Sequence, residues 1–283
     1  ATLTGIIAIA GGGQHSLALK NDGTVWSWGS DGQGQLGNNA ALVNQPTPVA
    51  VATLTGIIAI AAGMSHSLAL KNDGTVWSWG YDWFGQLGNN AALADQPTPV
   101  AVATLTGITA IAAGGFYHSL ALKNDGTVWS WGYDSYGQLG NNAALVNQPT
   151  PVAVATLTGM TAIAAGSSHS LALKNDGTLW SWGLDSWNGQ LGNNAALVDQ
   201  PTPVQVTGLA GCFTLPLPIQ LLSFTAKCTA TTTQQLNNSI TLSWSTATET
   251  NNDYFTVERS VDVGSWEAIG TVKGAGNSST TRN

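Results

Sequence analysis

Short apolar runs alternate with glycine-, asparagine- and proline-rich breaks along most of the chain. Near the start, Ile6 to Ala10 is an apolar run stopped by Gly11-Gly12-Gly13, Ser16 to Lys20 is a second, Thr24 to Trp28 a third and Thr47 to Val51 a fourth. Runs of this length bounded by Gly, Pro, Asn and Asp predict β-strands, and no segment carries the 3.6-residue apolar period of an amphipathic helix. Asn21-Asp22-Gly23 predicts a tight hairpin between the second and third strands, with Gly23 supplying the positive φ. Prolines around Thr47 predict that the fourth strand lies at a sheet edge, because proline cannot donate to a ladder.

The pattern repeats. Ser-Leu-Ala-Leu-Lys-Asn-Asp-Gly-Thr begins at Ser16, Ser67, Ser119 and Ser170, at intervals of 51, 52 and 51 residues. Each copy runs on into Trp-Ser-Trp-Gly, then Gly-Gln-Leu-Gly-Asn-Asn, then Gln-Pro-Thr-Pro-Val. Four short antiparallel strands in about fifty residues, repeated, predict the blades of a β-propeller. The expected architecture is all-β: four propeller blades over residues 1–209, a linker at 210–218, and a Thr/Ser/Asn-rich tail of different composition at 219–283. Four blades leave two open flanks, so an open arc or an oligomer is expected rather than a closed ring.

Composition narrows the function. Lys plus Arg is 8 against 15 Asp plus Glu, a net charge of −7, which speaks against a nucleic-acid partner that needs a basic face. No apolar run approaches the length of a membrane-spanning helix, so no membrane insertion is expected.

The repeat unit, Ala-Ala-Gly-x-x-His-Ser-Leu-Ala-Leu-Lys-Asn-Asp-Gly-Thr-Val-Trp-Ser-Trp-Gly-x-Asp-x-x-Gly-Gln-Leu-Gly-Asn, resembles the regulator of chromosome condensation (RCC1) repeat over residues 1–209. The resemblance implies blades of a propeller that usually has seven. The present four, and an opening Ala1-Thr2-Leu3-Thr4-Gly5 that copies Ala52 to Gly56, suggest part of a longer protein. The segments Pro218 to Ala226, Leu242 to Asn252 and Phe255 to Ser260 resemble the fibronectin type III-like module that precedes the sorting domain of bacterial proteins exported by the type IX system. That resemblance implies that the tail forms a truncated β-sandwich over residues 219–283, and it implies an extracellular or cell-surface location. Cys212 and Cys228 could pair in an oxidising compartment, or could simply sit unpaired.

Because the units are near copies, the positions where they disagree are informative. One variable window lies between the first and second strands of each unit: Gly13-Gln14, Met64-Ser65, Gly115-Phe116-Tyr117 and Ser167-Ser168. The other follows the third strand: Ser30 to Gln33, Tyr81 to Phe84, Tyr133 to Tyr136 and Leu184 to Asn188. In an up-and-down meander these two connections leave from the same end of the sheet, so the variable loops line one face and the invariant Lys-Asn-Asp-Gly turns the other. Of sixteen aromatics in residues 1–209, eight form the Trp-Ser-Trp pairs and all the others occupy the variable windows. Exposed Tyr and Trp give large contact area at low entropic cost. The candidate ligand-binding residues are therefore Gln14, Met64, Tyr81, Trp83, Phe84, Phe116, Tyr117, Tyr133, Tyr136 and Trp187. The alternative is that these rings fold over the blade tops as local packing.

Other chemistry is repetitive. His15, His66, His118 and His169 occur once per unit before the second strand, which suggests bonds to neighbouring loop backbone rather than a metal shell. The Trp-Ser-Trp pairs are expected to stack between blades. Asp31, Asp82, Asp134 and Asp185 suit turn capping and would place a ring of carboxylates on the variable face, a conceivable weak cation site. Every titratable group in the repeats recurs in each unit, so no unique nucleophile–base set stands out; no enzyme and no cofactor are expected. The function expected is a secreted or surface binding module for a protein or glycan, against a ligand-free adhesive spacer and, less favoured, the guanine-nucleotide exchange activity that the resemblance implies. Self-association through the open flanks is a further expectation.

Overall fold

The computed structural model describes residues 3–40, 42–91, 93–143 and 145–207, and the strands at 221–229, 239–246, 249–262 and 265–278. The chain divides into two compact units, Ala1–Gly211 and Cys212–Asn283.

The first unit holds four sheets of four antiparallel strands, each in simple meander order. The first blade comprises β1 (Ile6–Gly11), β2 (His15–Lys20), β3 (Val25–Gly29) and β4 (Gln45–Ala50). The second comprises β5 (Ile57–Ala62), β6 (His66–Lys71), β7 (Val76–Gly80) and β8 (Gln96–Ala101). The third has β9 (Ile108–Ala113), β10 (His118–Lys123), β11 (Val128–Gly132) and β12 (Gln148–Ala153). The fourth has β13 (Met160–Ala165), β14 (His169–Lys174), β15 (Leu179–Gly183) and β16 (Gln200–Gln205). The β2–β3 hairpin closes as the sequence predicts: Gly23 has φ 77°, and Asp22 Oδ1 accepts from the Thr24 N–H at 3.0 Å and its hydroxyl at 2.6 Å. β4 is an edge strand that includes Pro46 and Pro48, and the ladder to β3 shifts register across that stretch.

Each seam between blades is closed by an apolar cluster and a polar latch. At the first seam Leu17, Leu19 and Val25 of one blade pack with Val51 and Leu54 of the connection, and with Ile57, Ala69 and Trp79 of the next. Beside them His15 Nε2 lies 2.9 Å from Ser67 Oγ. Ser67 Oγ donates to the Gln35 carbonyl at 3.0 Å, and Trp79 Nε1 donates to the same oxygen at 2.9 Å. A hydroxyl has one hydrogen, and here it goes to Gln35, so the imidazole must be the donor through Nε2. The same set recurs as His66, Ser119, Gln86 and Trp131, and again as His118, Ser170, Gln138 and Trp182. His15, His66 and His118 thus each bond a hydroxyl of the following blade, where the sequence suggests neighbouring loop backbone alone. The Trp-Ser-Trp pairs do lie between blades, through their second Trp.

The unit is an open arc. Trp79, Trp131 and Trp182 are fully buried at seams, whereas the equivalent Trp28 of the first blade is only half-buried and Ile9 is 79% exposed. At the far end Leu171, Leu173 and Leu179 are half-buried, where Leu17, Leu19 and Val25 are wholly enclosed.

In the second unit β17 (Leu221–Thr229) pairs antiparallel with β18 (Ser239–Thr246), and β19 (Glu249–Asp262) with β20 (Ser265–Ser278). The proposed Cys212–Cys228 pairing and the 210–218 linker fall outside the described residues.

Candidate functional site

The two variable windows of each blade are tied together by backbone. Ser30 N–H donates to the Gln14 carbonyl, Tyr81 to Ser65, Tyr133 to Tyr117 and Leu184 to Ser168, each at 2.8–2.9 Å. Both loops therefore emerge at one face, as the meander predicts, and the Lys-Asn-Asp-Gly turns occupy the other. Gly80 and its equivalents, with φ near 100°, leave the space for this close approach: a Cβ at Gly80 would stand 2.5 Å from the Ser65 carbonyl.

On that face six rings form one unbroken chain across three blades. Tyr81 and Phe84 of the second blade are 6.0 Å apart, and both reach Tyr117 of the third, at 5.0 and 5.3 Å between centroids. Phe84 also meets Tyr133 edge-on at 4.9 Å. Tyr133 continues to Tyr136 at 6.2 Å, and Tyr136 to Trp187 of the fourth blade at 6.1 Å. Four of these six contacts are edge-on, an arrangement the ring quadrupole favours, each contributing about 0.5–1.5 kcal/mol beyond area burial. Tyr117 lies in the loop that is one residue longer in the third blade, and it holds φ 55°, an uncommon conformation for an aromatic residue.

The candidate residues separate into two groups. Tyr81, Phe84, Tyr117, Tyr133 and Tyr136 are half-buried against one another, so the local-packing reading describes them in part. Trp83 is 67% exposed, Trp187 66%, Phe116 46% and Met64 44%, and Gln14 also faces solvent. The stacked rings form a base from which the exposed ones project. The first blade, with Ser30 and Gln33 at the matching positions, contributes no ring. Burial pushes the Tyr81 phenol up from its ordinary pKa, with Tyr117 and Asp95 adding to the shift.

Beside this platform the first-to-second-strand loops of all four blades enclose a cleft of 420 Å³, lined by Gly11 to Gly13, Gly63, Gly115 and Gly166, with Met64 and Phe116 among its walls. No charged side chain lines it.

The aspartates do not form the solvent-facing carboxylate ring expected from the sequence. Asp31, Asp82, Asp134 and Asp185 are buried, and each Oδ1 accepts a backbone N–H, from Leu36, Leu87, Leu139 and Leu191. Their Oδ2 atoms have no partner among the described residues. Burial pushes Asp82 up to about 7 and Asp134 to about 6. Their role is to brace the loop that carries the rings, and the signal for it is the recurrence of each Asp five residues before the Leu it caps, or six in the fourth blade, where the loop is one residue longer. Among the described residues no three His, Cys, Asp or Glu side chains gather as a metal site.

The family model of the RCC1-like domain matches residues 1–235. The human probable E3 ubiquitin-protein ligase HERC6 is 38% identical over 204 residues, covering 71% of this chain and 20% of that protein. The mitochondrial RCC1 domain-containing protein RUG3 of Arabidopsis thaliana is 36% identical over 215 residues, 72% of this chain and 47% of that one. The chain thus spans less than half the length of these relatives. Among solved structures, yeast RCC1 (Prp20) bound to Kap60 superposes with a TM-score of 0.66 at 29% identity, over 73% of this chain and 49% of that one. Human WBSCR16 does so with 0.64 at 28%, over 73% and 54%. The sequence match and the blade architecture agree, and the chain belongs to the RCC1-like domain family.

Proposed function

We propose that this chain is a binding module that recognises a protein partner through the aromatic face of blades two to four, and that it acts outside the cell or at the cell surface. The observation that carries the reading is the continuous Tyr81-to-Trp187 ring chain, with Trp83 and Phe116 standing free beside it. Large exposed rings on a rigid base are what binding hot spots use. Charge narrows the partner. The only cationic side chains of residues 1–209 are Lys20, Lys71, Lys123 and Lys174, all at the opposite turns and paired with Asp22, Asp73, Asp125 and Asp176. A cation-free aromatic face suits a partner that presents apolar side chains with Lys or Arg among them, because ring faces attract cations.

A family neighbour supports protein recognition: Prp20p of Saccharomyces cerevisiae, 29% identical in structure-based alignment, is described by its binding to Gsp1p and histones. A glycan is the second reading, since ring planes also stack on sugars. The cell-surface location rests on the likeness of the tail to the fibronectin type III-like module of type IX-exported bacterial proteins.

The test is selection of a displayed random-peptide library on the whole chain, followed by affinity measurement of the recovered peptides. The reading expects peptides rich in Lys, Arg and apolar residues that lose at least about tenfold in affinity on the Tyr81→Ala, Trp83→Ala, Phe84→Ala triple variant. Peptides that bind this folded variant as tightly as the parent would refute it.

A further inference from the structure

One position in the loop before each fourth strand alternates between the blades. In the first and third it is Asn44 and Asn147, whose Oδ1 atoms accept the N–H groups of Asp31 and Asp134 at 3.0 and 3.1 Å. In the second and fourth it is Asp95 and Asp199. Asp95 Oδ1 accepts the Asp82 N–H at 3.2 Å, and Asp199 Oδ1 accepts the Asp185 and Ser186 N–H groups, both at 2.9 Å. The turn requires only an oxygen acceptor, and a neutral amide supplies one as well as a carboxylate does. The carboxylate also carries a disadvantage. Burial raises the pKa of Asp82 and the charge on Asp95 adds to that shift, so the two carboxyl groups oppose each other. Capping the turn does not account for the negative charge.

That charge follows the tryptophans. Trp83 directly follows Asp82, the residue that Asp95 caps, and Trp187 directly follows Ser186, which Asp199 caps. Both indoles are exposed, Asp95 is exposed and Asp199 is half-buried. The first and third blades, with Asn at the cap, carry no tryptophan in that loop. The second blade packs against a neighbour on each side, so the exposure of Trp83 and Asp95 does not come from an end of the arc. Among the described residues every ion-paired lysine belongs to the opposite turns, and neither Asp95 nor Asp199 meets a cation.

We propose that Asp95 with Trp83, and Asp199 with Trp187, form two subsites that each receive a Lys or Arg side chain of one protein partner. The indole face attracts the cation, the carboxylate neutralises it, and the ring chain between the two subsites takes apolar residues. The partner is therefore a segment that presents two cationic side chains with apolar ones between them. This assignment rests on the binding function proposed above and supplies its specificity-determining residues.

The test uses the Asp95→Asn, Asp199→Asn double variant of the whole chain, which gives blades two and four the amide cap native to blades one and three. It should melt no lower than the parent. The probes are peptides selected on the parent from a displayed random library, and copies of them with every Lys and Arg replaced by Gln. The cationic peptides are expected to bind the double variant about fivefold more weakly at low ionic strength, a loss that shrinks as salt is added. The Gln copies should bind parent and variant alike. A selection that yields no peptides, or peptides without enrichment in Lys or Arg, overturns the proposal together with the partner chemistry it rests on. Peptides that lose affinity on the Tyr81→Ala, Trp83→Ala, Phe84→Ala variant but bind the double variant as tightly as the parent overturn this proposal alone. A double variant that melts lower than the parent also overturns it, because the charges would then have a structural duty.

Discussion

The Phe84 ring lies 5.3 Å from the ring of Tyr117, across the seam between the second and third blades. Neither residue has a counterpart ring in the first blade, and the two are set on different loops: one follows a third strand, the other precedes a second. Their contact turns separate loop decorations into one surface, so the variable residues are best understood as a single patch that a partner meets at once.

The seam latches should dominate stability. Trp79→Ala removes a fully buried indole and leaves the Gln35 carbonyl with one donor, at a cost of about 3–5 kcal/mol. The same substitution at Trp28 removes a ring that no blade covers, and should cost about 1 kcal/mol, an ordinary value for a single substitution. Denaturant titration at low protein concentration compares them; equal losses would contradict the seam account.

The buried histidines give the fold an acid sensitivity. Burial lowers His15 and His118 to about 4 and His66 to about 3, from 6.5 when solvated. Between pH 6.5 and about 4 the unfolded chain therefore binds more protons at these sites, and stability falls as pH falls, by about 1.4 kcal/mol per pH unit for each site. A His66→Gln variant should show a shallower acid limb in a series of melts from pH 7 to 4.

Asp82 acts in the opposite direction. With its pKa raised from 3.8 to about 7, the folded state holds the proton more tightly. Its contribution is fully present below pH 3.8 and is lost as pH rises to about 7. Asn at this site keeps an oxygen for the Leu87 N–H and carries no charge to bury. Asp82→Asn should then melt higher than the parent at pH 8, with the advantage vanishing near pH 4; an advantage that persists at pH 4 contradicts the assignment.

Glycine is required at the seam and dispensable at the loop tip. Gly88 holds φ 64°, and a Cβ there would stand 2.7 Å from Trp131 Cδ1, whereas Gly32 has open space around its Cβ position. Gly88→Ala should destabilise by about 1–3 kcal/mol through strain and overpacking. Gly32→Ala should stay within about 0.5 kcal/mol of the parent. Thermal melts of the two variants decide it.

The strands, the Gly23 hairpin and the common face of the variable loops were legible because each depends on residues close in sequence. Apolar runs, turn residues and the two-residue alternation report on the local ladder. The His15–Ser67 bond was not legible, since its partners are 52 residues apart and meet only once two blades pack. For the same reason the buried state of Asp82 was hidden: a carboxylate after Trp-Gly-x reads as an exposed cap until Leu87 is seen to fold over it. The rings were identified as a group from their positions, but their mutual contact depends on the angle between blades, which no single repeat encodes.

The central claim is that partners meet the aromatic face and not the turn face. Hydroxyl-radical footprinting of the chain, alone and with a library-selected peptide, tests this most directly. Trp83, Phe116 and Trp187 should be protected from oxidation by the peptide, while Trp77 and Trp129, beside Lys71 and Lys123 near the opposite turns, keep their free reactivity. Protection of Trp77 and Trp129, with Trp83 and Trp187 unchanged, would contradict it.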